Sequence, residues 1–201
     1  MKNVSFSAAC CGMENMPRHY RSEDLFMALC RECSNYGANW ACPPFGFNVS
    51  ELLKKFGCLY VFGAKVVNPE KAVRTSGTYE KSVAYTGRIF KEVKSALSGL
   101  LLTLEERYPG GLGLSAGRCD VCPACARIDG SPCRFPGRCR HSLESLGFDV
   151  AAISENMLGT RLLWIKDALP EYQMFVNGFL AEREDDEIMK SIESYLEGIG
   201  S

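Results

Sequence analysis

Eleven cysteines in 201 residues carry most of the chemistry open to this chain, and seven of them fall in two short runs. The denser run is Cys119-x2-Cys122-x2-Cys125, continued by Cys133, with Pro132 and Pro136 flanking the last thiol. Thiols so close in sequence can surround a cofactor with little loop entropy to overcome. Three equally spaced cysteines open the bacterial ferredoxin pattern, and a proline beside a ligand cysteine belongs to it too, although here seven residues, not three, precede the fourth thiol. A four-thiolate [4Fe–4S] cluster is the first expectation. Zinc also accepts four thiolates, usually from two C-x2-C pairs, and is the alternative. Arg118, Arg127, Arg134, Arg138 and Arg140 outnumber Asp120 and Asp129 in this stretch, which suits a group of net negative charge.

The second run is Cys30-x2-Cys33 followed by Cys42-Pro43-Pro44. Tyr36, Trp40, Phe45 and Phe47 lie around it as an apolar shell that would keep solvent from a cofactor. Three ligands are visible and a fourth is not. Either a distant cysteine completes this site or one metal position stays open, and an open position is what separates catalytic from structural metal sites. Cys58, Cys10, Cys11 and Cys139 are the spare thiols. Cys10 and Cys11 are adjacent, so on a strand they would point to opposite faces and could not both reach one ion.

Other catalytic equipment is sparse. The chain has only His19 and His141 as imidazoles, and no P-loop or C-x3-C-x2-C run. His141, next to Arg140, reads as a loop or helix-start residue and not as a general base.

The elements that must position these thiols follow from periodicity. Val4 and Phe6 alternate with Ser5 and Ser7 as on a short strand. Ser22 precedes Glu23-Asp24 and an apolar run, the start of a short helix that delivers the chain to Cys30. Asn48 caps a helix expected to run through Phe56 to Gly57. Residues 58–67 form a continuous β-rich apolar run, the best central strand. Apolar residues from Tyr79 to Tyr108 recur every three or four positions, marking a long helix with Gly87 and Gly99 as places to break. Residues 112–116 form a strand running into Cys119. Strand, helix, strand predicts a parallel βαβ unit with the denser run at its carboxyl edge. A short helix over 142–146 should end at Gly147, and residues 148–152 are open between strand and helix. Residues 161–166 and 172–180 read as an antiparallel hairpin, and Ile188, Ile192, Tyr195, Leu196 and Ile199 as one face of a terminal helix with a solvated acidic start. The expectation is an α/β or α+β fold: one compact domain over 1–201, a single sheet with flanking helices and a cysteine-rich loop region.

The two cysteine runs together resemble those of DUF2284, a bacterial and archaeal family described as predicted metal-binding proteins. The likeness is carried by Cys30-x2-Cys33-x2-Tyr36-Gly37-x2-Trp40-x-Cys42-Pro43-Pro44, by Cys119-x2-Cys122-x2-Cys125-x7-Cys133-Arg134-x-Pro136, and by Ser142-Leu143-Glu144-x2-Gly147-x-Asp149-Val150. It implies metal binding, with iron–sulfur clusters as the form, and brings no reaction with it.

Composition narrows the setting. A formal net charge of −1 gives no reason for nucleic acid or a membrane surface as partner. The longest apolar run, Leu100 to Leu104, is far too short to span a bilayer. An odd cysteine count and an N-terminus without an apolar leader favour a reduced, cytoplasmic protein. Two functions from different classes remain beside the zinc-stabilised interaction module. One is a protein with one or two [4Fe–4S] clusters that passes electrons, docking an anionic redox partner at the arginine-rich loop 118–141. The other is a metalloenzyme with an open cluster site at Cys30, Cys33 and Cys42.

Overall fold

The computed structural model describes residues 3–16 and 20–200; His19 lies outside them. Strand β2 (Cys58–Val67) is the middle of the architecture, as its unbroken apolar run predicts. Its alternate residues feed two separate cores. Cys58, Tyr60, Phe62, Ala64 and Val66 face one layer, while Leu59 and Val61 face the other. A strand buried on both sides needs partners on both edges, and β2 has them in β1 (Val4–Gly12) and β4 (Tyr172–Ala181), each antiparallel. The sheet is completed by β3 (Leu112–Leu114), antiparallel to β4, in the order β1-β2-β4-β3.

One face is covered by α4 (Tyr79–Arg107) and α6 (Asp186–Gly200). The long stripe forms a single 29-residue helix with no break at Gly87 or Gly99. Thr78 caps it through Lys81 N, and it buries Val93, Leu97, Leu100, Leu101 and Leu104 against the sheet. Those five side chains contribute on the order of 10 kcal/mol before chain entropy is subtracted. Gly99 lets α6 approach, since a Cβ there would meet the Tyr195 hydroxyl at 2.4 Å. The acidic start of α6 holds Tyr60, whose hydroxyl donates to Asp185 O at 2.9 Å. The opposite face carries α5 (Val150–Leu158), capped by Asp149, and a turn of 3-10 helix at Glu144–Leu146. Three shorter helices complete the described residues: α1 (Glu23–Arg31), α2 (Val49–Leu53) and α3 (Glu70–Thr75).

Three expectations change. First, β2 and β3 do run in the same direction, because both oppose β4, but β4 lies between them, so the crossover through α4 skips a strand. Second, β4 has no hairpin partner at 161–166. That segment has no regular structure and leaves Trp164 68% exposed, whereas β4 is buried almost throughout and pairs with two long-range strands. Third, the helix capped by Asn48 is short, ending at Leu53. Residues 150–158 settle as helix.

Candidate metal centre

Both cysteine runs sit beyond the carboxyl end of β3, on loops fastened to each other. The first loop begins in the last turn of α1, which presents Cys30. Successive turns follow: Cys33 N donates to Cys30 O, Tyr36 N to Cys33 O and Cys42 N to Asn39 O. Gly37, with φ of 68°, turns the chain so that its N–H reaches Pro43 O at 2.8 Å and closes the loop. Asn39 is buried and fixed at both ends of its amide. Its Oδ1 accepts from Ala41 N and its Nδ2 donates to Cys119 O at 2.8 Å.

The second loop leaves β3 through Gly117, also left-handed at φ 61°. Lys94 on α4 anchors it, donating to Arg118 O and pairing with Asp120 at 3.4 Å. Burial lowers the Lys94 pKa and the Asp120 carboxylate partly restores it. Arg134 donates to Ala124 O at 2.8 Å and ties the Cys125 arm to the Cys133 arm. Arg140 is buried and forks onto Glu105, whose Oε1 also accepts from Gly113 N.

The arginines thus act first as clamps. Arg127 is the clearest case: Nη1 donates to Asn39 O at 3.0 Å and Cys42 O at 2.6 Å, and Nη2 to Pro44 O. Its guanidinium also stacks 4.9 Å from the Trp40 ring. Trp40 itself bridges the loops, its indole N–H donating to Ser131 O at 3.0 Å and its backbone N–H to Cys125 Sγ at 3.4 Å. His141 is a brace, with Nδ1 3.0 Å from Ala41 O and its ring packed edge-on against Phe45 and Phe47. Burial pushes its pKa down.

Cys119, Cys122, Cys125, Cys133 and Cys139 line one small, largely enclosed pocket. Cys139 is in hydrogen-bond contact with both Cys119 and Cys133. The Cys119–Cys139 bond is the main cause holding Cys119 near pKa 6, with burial opposing it, while the same bond pushes Cys139 far up. Cys30, Cys33 and Cys42 form the second group. Cys42 is raised to about 11, first by burial and then by the neighbouring Cys33 and Cys30 thiols, with Arg127 and Arg118 pulling it back. Among the described residues no three His, Cys, Asp or Glu side chains converge on the position of a single metal ion.

The other spare cysteines lie elsewhere. Cys58 and Cys10 contact each other in the core beneath α4 and α6, and burial raises Cys10 to about 12. Cys11 turns to the opposite face, as adjacency on a strand requires, and bonds Gly12 O. Sequence reasoning placed Arg127 in the basic stretch and Cys139 among the spare thiols, but did not foresee the Arg127 clamp or the cross-loop bonds of Asn39.

A family model matches residues 17–177, a span that holds both thiol groups. The chain belongs to the DUF2284 family, described as predicted metal-binding proteins. No curated protein and no solved structure matches it. The DUF2284 match includes both thiol groups, Cys58 and Cys139; Cys10, Cys11 and α6 fall outside it. The donor set fits the description, since clustered thiolates favour soft metals and iron–sulfur clusters. No helix among the described residues is long and apolar enough to cross a membrane.

Proposed function

We propose that this DUF2284 protein holds iron–sulfur clusters of the [4Fe–4S] type at its two thiol groups and serves as an electron carrier in the cytoplasm. The observation that carries the reading is the join between the groups: Cys125 Sγ accepts the Trp40 N–H at 3.4 Å, so one loop's sulfur touches the other loop's backbone. Cys119, Cys122, Cys125, Cys133 and Cys139 would hold one group, and Cys30, Cys33 and Cys42 the other. Clusters bound by thiolates take up and release single electrons at potentials set by hydrogen bonds to sulfur and by solvent exposure. The chain supplies both controls, through the Trp40 N–H and through the packing of Phe45, Phe47 and His141.

A partner would approach over the exposed rim of the loops, where Trp40, Ile128 and Phe135 are 36%, 64% and 46% exposed beside Arg134 and Arg138. Apolar residues ringed by positive charge suit an anionic redox protein. The enzyme reading depends on the Cys30, Cys33 and Cys42 group lacking a fourth sulfur. The test is anaerobic purification with iron and acid-labile sulfide counted per chain. The expected result is a brown protein with broad absorption near about 400 nm that dithionite bleaches. Stoichiometric zinc without sulfide would replace this proposal with the zinc-stabilised module.

A further inference from the structure

Three thiols in one loop and five in the other make eight, the number two cubane clusters need, but the division is uneven. The contacts show how it could be evened. Cys139 touches Cys119 and Cys133, so these three already form a set within the second loop. Cys122 and Cys125 line the same pocket. Of these, Cys125 is the one whose sulfur meets the first loop, at Trp40 N, two residues from Cys42. The first loop is drawn toward it by Asn39 Nδ2 on Cys119 O and by the Arg127 clamp on Cys42 O.

We propose that the two sites trade a ligand: Cys125 leaves its own C-x2-C-x2-C run to complete Cys30, Cys33 and Cys42, and Cys139 takes its place with Cys119, Cys122 and Cys133. This rests on the iron–sulfur reading above and deepens it. Two-cluster ferredoxins use the same device, sending the last cysteine of a run to the other cluster. Here the traded cysteine is the third, which explains why a fifth cysteine is needed after Cys133. Both sites are then closed by four thiolates, which removes the open iron on which the enzyme reading depends. Residues 122–125 would then carry a ligand of each cluster and link the two covalently, beside the Trp40 N–H bond to Cys125 Sγ.

The experiment counts iron and sulfide in anaerobically reconstituted wild type and in paired alanine variants, with far-UV circular dichroism confirming that each folds and a parallel serine series for any that does not. Wild type should hold about eight irons, and Cys125→Ala and Cys139→Ala about four each. Pairing tells which thiols share a cluster. Cys125→Ala with Cys30→Ala should still hold about four, as should Cys139→Ala with Cys119→Ala, whereas Cys125→Ala with Cys139→Ala should hold none. The proposal is overturned if Cys139→Ala keeps all its iron, if Cys125→Ala with Cys139→Ala keeps one cluster, or if wild type carries a single cluster. Zinc without sulfide in wild type would instead overturn the iron–sulfur reading itself.

Discussion

Removing the Arg127 guanidinium should uncouple the two loops without unfolding the sheet. Its three hydrogen bonds reach Asn39, Cys42 and Pro44 carbonyls of the first loop from a position within the second. Bonds from a charged donor contribute about 1.5–3 kcal/mol each. Taking the low end, and discounting for a half-exposed donor whose acceptors can rebind water, leaves about 3 kcal/mol for the clamp. That corresponds to about a hundredfold in the equilibrium between docked and released loop. Hydrogen exchange on reduced, cofactor-free protein reads it, most directly at Trp40, whose amide crosses to Cys125 Sγ, and then at Gly37 and Cys42, whose bonds to Pro43 O and Asn39 O depend on the clamped loop. In Arg127→Ala, residues 33–45 should exchange about a hundredfold faster while β2 and β4 keep their protection. Arg127→Lys should recover only part of this, since an ammonium cannot present the same fork to three acceptors. Acceleration below about threefold in the alanine variant would refute the clamp, because the worked magnitude could not then be present.

Two further predictions concern the scaffold. A Cβ on Gly57 would sit 2.3 Å from Glu182 O, a backbone atom fixed by the β2 and β4 pairing, so Gly57→Ala should cost about 3 kcal/mol and lower Tm by about 6–12 °C; a shift under about 2 °C would show that the strands can part freely. Burial raises the Glu144 pKa, with its hydrogen bonds opposing. A raised folded value means that the favourable protonated state is fully kept below the unfolded pKa of about 4.3 and lost as pH rises through the folded value. Glu144→Gln should therefore gain in Tm over wild type from acid toward neutral pH, and a gap independent of pH would contradict it.

What could be read from the residues alone was whatever depends on neighbours in the chain. The two-faced burial of β2 follows from its unbroken apolar run, and the stripe of α4 and the face of α6 from a period of 3.6, and each appears where the pattern put it. The position of β4 does not depend on local pattern. Its run reads as a strand, but which strands flank it is decided by the layer it completes, so a sequence neighbour at 161–166 was paired with it in place of β2 and β3. Residues 148–152 were ambiguous because a short apolar run suits either state, and the Asp149 cap on Ala152 N decides for helix. At the metal centre the spacing of thiols was legible. Their assembly was not, since it relies on Asn39, Trp40 and Arg127 reaching 80, 91 and 88 residues along the chain. Cys139 reaches Cys119 only through the turn at Pro136–Arg138 and the ion pair of Arg140 with Glu105.

The late placement of β4 between two earlier strands also bears on how the protein is born. As the chain leaves the ribosome, β1 and β2 can pair at once, but β2 keeps an open edge until residues 172–181 emerge. Synthesis at about 5–20 residues per second leaves the Cys30–Cys42 loop waiting on the order of 10 s before β4 can lock β3 in place. Throughout that interval its thiols are solvated, unpaired with the second loop and open to oxidation or to stray metal. Docking of the two thiol loops on each other is thereby a step that follows completion of the sheet, and a nascent chain stalled before β4 would present a bare strand edge and loose thiols together, a combination that invites aggregation.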